Sequence, residues 1–239
     1  MGSLGCWSML AILFQTLLVV IISWLTLDCK LEPDATELHE ITLMKILYLY
    51  DPEACGKVFF YNVTASIGHD RIYTSIVWPT KNHIASRFRT EIQVWLSLHL
   101  IWTLFAIINI TQGQRSCSFY ATLLPFTTTG IALLLTDVVY TILFLIDAKY
   151  TYTESAILLY LTKNGHLRAI MKSPLTTALD VEDTSWIAVV MAYCSIRGIV
   201  QWMVNFWIVK DNYFEGLDHY RKLQHHKPSV RRKSSSFDL

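Results

Sequence analysis

A guanidinium keeps its proton at any relevant pH, and one arginine in this chain stands where a fixed charge is least tolerated. Arg197 is the one charged residue in the stretch 186–209, which is otherwise apolar and long enough to cross a bilayer. Burying an arginine at the centre of a membrane helix costs roughly 2.5–3.5 kcal/mol on insertion scales. A chain that keeps such a residue is expected to pair it with an anion on another span. Asp137, inside another apolar block, is the candidate partner.

The composition agrees with a membrane protein. Hydrophobic residues make up 53% of the 239 positions and charged residues 16%, against about 25% in ordinary soluble domains. Four spans can be read, at residues 7–27, 92–111, 119–146 and 186–209. Each approaches or exceeds the ~20 residues that cover ~30 Å of hydrocarbon. Pro125 falls in the first turns of the third span, where a missing N–H is tolerated. The first span is read as a membrane helix rather than a signal peptide, because it lacks a basic leader and a small-residue cleavage site. Gly2 does not start a myristoylation signal, since Cys6 stands where Ser or Thr is needed.

The expected fold class is therefore an all-α membrane protein: four transmembrane helices, a moderately long first extracellular loop and a disordered cytosolic tail. Its parts are the first span (1–27), the extracellular loop (28–91), spans two to four with a short second loop and an outer loop at 147–185 (92–209), and the tail (210–239). Four spans put both termini on one side, taken as the cytosol. The positive-inside rule does not fix this orientation, because the first loop also carries lysines and arginines, including Arg87 and Arg89. Within that loop, the Ile41–Tyr50 stretch is expected to pack as a strand or an interfacial helix.

The candidate sites follow from this topology. Asp137 and Arg197 lie about ten and eleven residues from the outer ends of their spans. At ~1.5 Å per residue two antiparallel helices bring them level, as a clip that fixes helix register. Gln15, His99, Asn109, Gln201 and Asn205 are one or two polar residues per helix, the number that interhelical hydrogen bonding uses. No metal ligand set surrounds His99, and no cofactor is expected. Asn62-Val63-Thr64 is an N-glycosylation sequon in the first loop, and Cys29 and Cys55 can form a disulfide there. Asn109-Ile110-Thr111 also matches the sequon pattern, but it ends a span on the cytosolic side.

Cys6 and Cys117 stand at cytosolic span ends as palmitoylation candidates. In the tail, Ser234, Ser235 and Ser236 follow Arg231, Arg232 and Lys233, a pattern suited to basophilic phosphorylation. Phe237 and Leu239 give a C-terminus of PDZ-ligand type, and a PDZ scaffold is the corresponding partner. No P-loop, dinucleotide fingerprint, HExxH motif or nucleophile elbow is present, so no enzyme activity is expected. The formal net charge of +1 and the lack of a basic face argue against nucleic-acid binding.

Span four reads Ser195-Ile196-Arg197-Gly198-Ile199-Val200-Gln201-Trp202-Met203-Val204-Asn205. This S-x-R-G-x-V-x-W-x-x-N run resembles the last span of an insect tetraspan family that includes the Pasiflora septate-junction proteins. The four-span plan with a short second loop and a basic tail is similar too. The resemblance implies a structural protein of the plasma membrane at lateral cell contacts. It would help to assemble the septate junction and its paracellular barrier among lipids and other junctional membrane proteins. The alternative expectation is a small transporter or channel subunit with Asp137 and Arg197 in a polar path.

Overall fold

The computed structural model describes residues 3–34, 40–56, 59–67, 70–77, 82–112, 119–152, 156–157 and 183–234. It is an all-α membrane protein. Among the described residues, four helical stretches are long and apolar enough to cross a membrane: Trp7–Leu27, His83–Asn109, Ala121–Ala148 and Trp186–Lys222. The helices are α1 (Ser3–Leu27), α2 (Glu40–Met44, continued as a π-helical turn over Lys45–Leu49), α3 (Pro52–Cys55), α4 (His83–Gln112), α5 (Leu124–Ala148, preceded by a π-helical turn over Phe119–Leu123), α6 (Trp186–Ser195) and α7 (Ile199–Ser234). Between α3 and α4 lies an antiparallel hairpin, β1 (Phe59–Ile67) and β2 (Asp70–Val77), with an irregularity in register between Phe60 and Val63.

Three boundaries differ from the sequence reading. The second span starts at His83, not near 92, so the first loop ends at Asn82. Asn82 caps α4: its Oδ1 accepts from the backbone N–H of Ile84 (3.1 Å) and Ala85 (3.2 Å), while its Nδ2 donates to Ile46 O (2.7 Å). A capping Asn satisfies donors that the first helical turn leaves open. Arg87 and Glu91, which fall within the expected 28–91 loop, therefore lie within a helix. The tail differs as well. The helix that carries the end of span four continues to Ser234, so Arg231, Arg232, Lys233 and Ser234 are helical rather than disordered. Lys and Arg, frequent in this segment, are good helix formers.

The third difference is a break in the fourth span. α6 ends at Ser195 and α7 begins at Ile199. The Gly198 N–H donates to Tyr193 O (3.1 Å) and the Arg197 N–H to Cys194 O (2.9 Å). This is the paired closure of a Schellman cap, which places the residue after the cap in a left-handed conformation. That residue is Arg197 (φ +58°), followed by Gly198 (φ +76°). α1 ends in the same way. Lys30 N–H donates to Leu25 O (3.0 Å) and Cys29 N–H to Thr26 O (3.4 Å), with Cys29 at φ +57°. Glycine normally fills this position, and for other L-residues the left-handed region costs roughly 1–2 kcal/mol. Both exceptions are side chains that form a cross-link from that position.

The chain forms two compact units. One comprises Val20–Trp95 and Asp137–Gly198; the other comprises Met1–Val19, Leu96–Thr136 and Ile199–Leu239. In the first, Leu43, Ile46, Leu47 and Tyr48 pack with Ile84, Phe88, Phe144, Ile187 and Met191. The Ile41–Tyr50 stretch is thus helical as far as Leu49, with Tyr50 extended, and much of it is core. Tyr48, Phe88 and Phe144 meet edge to face, with ring centroids 5.3–5.9 Å apart. Tyr50 donates to Cys55 O (3.1 Å). Burial, and secondarily the charge of Glu32, raises its phenol above the usual range.

The second core holds Ile12, Trp102, Ala106, Phe126, Leu134, Ile208 and Val209, with Trp102 stacked on Phe126 at 5.7 Å. Gly130 permits the close approach here: a Cβ on it would lie 2.6 Å from Val209 Cγ2 and 3.0 Å from Trp102 Nε1. Small residues serve this purpose at helix contacts in membranes. Gly130→Ala should therefore destabilise the protein by about 1–3 kcal/mol through overpacking, read as a lower midpoint of unfolding in detergent. A neutral or stabilising substitution would show that the helices separate freely at this point.

Candidate functional site: the buried polar groups of the spans

The residues expected to pair do so. Arg197 Nη2 meets Asp137 Oδ2 in an ion pair whose side chains are 9% and 0% exposed. Asp137 is held on its other oxygen by Trp95, whose Nε1 donates to Oδ1 at 3.1 Å. The same indole lies against the cation, with Arg197 Cζ 5.9 Å from the ring centroid, a distance at which the ring quadrupole attracts a guanidinium. Trp95 thus touches both charges. One turn further along α5, Thr141 and Ser195 share a hydrogen bond (2.9 Å), and Ser195 also donates to Ala192 O (2.8 Å). Asp137 and Thr141 are four residues apart and so lie on one face of α5. That face receives the last turn of α6 and the unwound residue after it.

A second charged group in this unit was not legible as a site. Arg87 binds two carboxylates: its Nε lies 3.2 Å from Glu91 Oε1, and its Nη2 pairs with Asp147 Oδ2. The carboxylate side chains are only 8% and 2% exposed. Tyr48 Oη donates to Asp147 Oδ2 at 3.4 Å. The available signal was the spacing of Arg87, Glu91 and Trp95, at i, i+4 and i+8 on one helical face. It is visible only once α4 is known to begin at His83.

Cys29 and Cys55 form the expected disulfide, with Cα atoms 5.6 Å apart. Arg89 lies beside it. Its Nη2 donates to Leu27 O (2.7 Å), and its Nη1 is 3.8 Å from Cys55 Sγ and 4.0 Å from Cys29 Sγ.

The expected intramembrane polar residues fall in the other unit. Gln15 and Asn205 form a reciprocal amide pair, Nε2 to Oδ1 at 2.8 Å and Nδ2 to Oε1 at 2.9 Å. Gln201 Nε2 reaches Asn205 Oδ1 at 3.5 Å. Thr16 and Thr103 share a hydrogen bond of 2.6 Å, and Thr122 donates to Asn109 at 3.3 Å. His99 is fully buried, edge-on to Trp102 with centroids 6.3 Å apart. Among the described residues no three His, Cys, Asp or Glu side chains are grouped to hold a metal ion.

The remaining predicted positions divide in two. Asn62 lies in β1, and Cys6 and Ser234 lie in helices. Cys117, Ser235, Ser236, Phe237 and Leu239 lie outside the described residues. No protein-family model, curated protein or solved structure matches the chain.

Chemically, the Asp137–Arg197 site can neutralise two buried charges and orient them. Removing one partner from such a pair is expected to cost about 3–5 kcal/mol, because the other charge is left without compensation. Arg197→Leu or Asp137→Leu alone should therefore lower the unfolding midpoint in detergent sharply. The double substitution should recover most of the loss. A double variant no better than the worse single one would mean that the two side chains act independently.

Proposed function

We propose that this protein is a structural tetraspan of cell contacts, acting in septate-junction assembly and the paracellular barrier. The observation that carries the reading is the use made of the intramembrane polar groups. Asp137 is occupied by Arg197 and Trp95, and Gln15 and Asn205 satisfy each other through both amide bonds. Groups bonded in this way hold helices together, which is what a static interaction module needs. The S-x-R-G-x-V-x-W-x-x-N resemblance adds to it, since Arg197 is the residue on which the motif and the ion pair coincide. On this reading the first loop, with its β1–β2 hairpin, is the part that meets junctional partners outside the cell. The basic tail, with Phe237 and Leu239, meets a PDZ scaffold inside it.

A second reading is a small transporter or channel subunit. It is favoured by the interruption of span four at Arg197 and Gly198, because discontinuous membrane helices line the substrate and ion sites of many transporters. The double carboxylate around Arg87 points the same way.

A tagged chain in a polarised epithelium separates the two. The junction reading expects a band restricted to lateral membranes and a leakier barrier on depletion. A uniform distribution, together with solute flux lost in Asp137→Asn, would favour the transporter. Topology has its own check: N-glycosidase should lower the apparent mass of the wild type and leave Asn62→Gln unchanged. A wild type insensitive to the enzyme would argue against an extracellular first loop.

A further inference from the structure

We propose that the Cys29–Cys55 bond is an exchangeable disulfide, opened and closed by a dithiol partner, and that Arg89 serves the exchange by stabilising the departing thiolate. Two independent observations carry this. The first is the placement of Arg89: one guanidinium nitrogen lies within 4.0 Å of both sulfurs, at 3.8 Å from Cys55 Sγ and 4.0 Å from Cys29 Sγ. The other terminal nitrogen is anchored on Leu27 O at 2.7 Å, so the charge is held beside the bond. A neighbouring guanidinium favours the thiolate, the reactive and the leaving form of cysteine. This matters here because Cys29 follows the C-terminus of α1, where the helix dipole disfavours negative charge. Arg89 offsets that end.

The second observation is the backbone. Cys29 occupies the left-handed position of the α1 cap at φ +57°, a conformation that costs an L-residue roughly 1–2 kcal/mol. The cap hydrogen bonds and the covalent link together hold Cys29 at this position, and opening the disulfide removes one of the two holds. Both cysteines are half-buried, neither of them fully enclosed.

The step is ordinary exchange. A thiolate of the dithiol attacks one sulfur, forms a mixed disulfide and expels the other cysteine as a thiolate facing Arg89. The second thiol of the partner then displaces the remaining cysteine. Two electrons and one proton pass from the dithiol to this chain and its second proton goes to solvent, leaving one thiol and one thiolate held beside Arg89 here and one disulfide in the partner; closure is the reverse. Reduction uncouples the end of α1 from α3, which lies just ahead of β1. The state of the bond thereby controls how the base of the hairpin is tied down. The inference does not depend on the junction reading.

The test equilibrates the purified full chain, in detergent and without denaturant, with glutathione buffers of graded reduced-to-oxidised ratio. Thiols are then trapped with a mass-tagged maleimide. The wild type should gain two tags per chain above its free cysteines while still folded. Arg89→Gln should need a buffer about tenfold more reducing to open. Arg89→Lys, which keeps the charge, should titrate close to the wild type. The wild-type arm needs no variant: a disulfide that survives excess reduced glutathione until the protein is denatured overturns the proposal. So does Arg89→Gln opening at the wild-type ratio, or Arg89→Lys shifting as far as Arg89→Gln.

Discussion

A permanent positive charge has to be neutralised where no water can do it, and the unit around Asp137 is arranged for that purpose. Arg197 does not meet its partner as one more residue of a regular helix running through positions 186–234. The span instead stops at Ser195, passes through two left-handed residues and restarts at Ile199. The break exposes backbone groups, and neighbouring groups take up part of that demand. The Schellman bonds close the end of α6, and the Ser195 hydroxyl donates to Ala192 O. Trp95 braces both charges with a single ring. An ion pair of this kind is seldom a large net source of stability, because desolvation cancels much of the attraction. Its contribution is specificity: few other arrangements of these helices leave neither charge bare.

The two units solve the same problem with different chemistry. One uses formal charges, with Arg197 on Asp137 and Arg87 on Glu91 and Asp147. The other uses neutral amides and hydroxyls, above all the reciprocal Gln15–Asn205 pair. An amide pair is satisfied by two hydrogen bonds and needs no backbone break to form. The helices that carry Gln15 and Asn205 accordingly run unbroken past both residues.

The apolar blocks were enough to locate the four spans, because the length of an apolar run and the thickness of hydrocarbon are tied by the rise of a helix. The depth argument paired Arg197 with Asp137 for the same reason. What could not be read was anything set by local exceptions. The start of α4 was hidden because Arg87 and Glu91 look like loop residues until Arg87 is seen to pair with the buried carboxylates of Glu91 and Asp147. The interruption of span four has no proline to announce it, and Gly198 alone is a weak signal within an apolar run. Nothing in the sequence singles out Trp95, and only its indole N–H, donated to Asp137, marks it as part of the site. Cys29 and Cys55 were paired by compartment chemistry, whereas Arg89 beside them could be found only from coordinates.

α7 runs for 36 residues from Ile199, about 54 Å at the rise of an α-helix, against ~30 Å of hydrocarbon. Its far end is therefore carried beyond the lipid on helix rather than on a slack tether, with Pro228 near the tip as the point where a backbone N–H is missing. A rotation or tilt at the membrane would be carried along such a rod as a displacement that grows with distance, so whatever grips its tip is held at a set height and turns with the span.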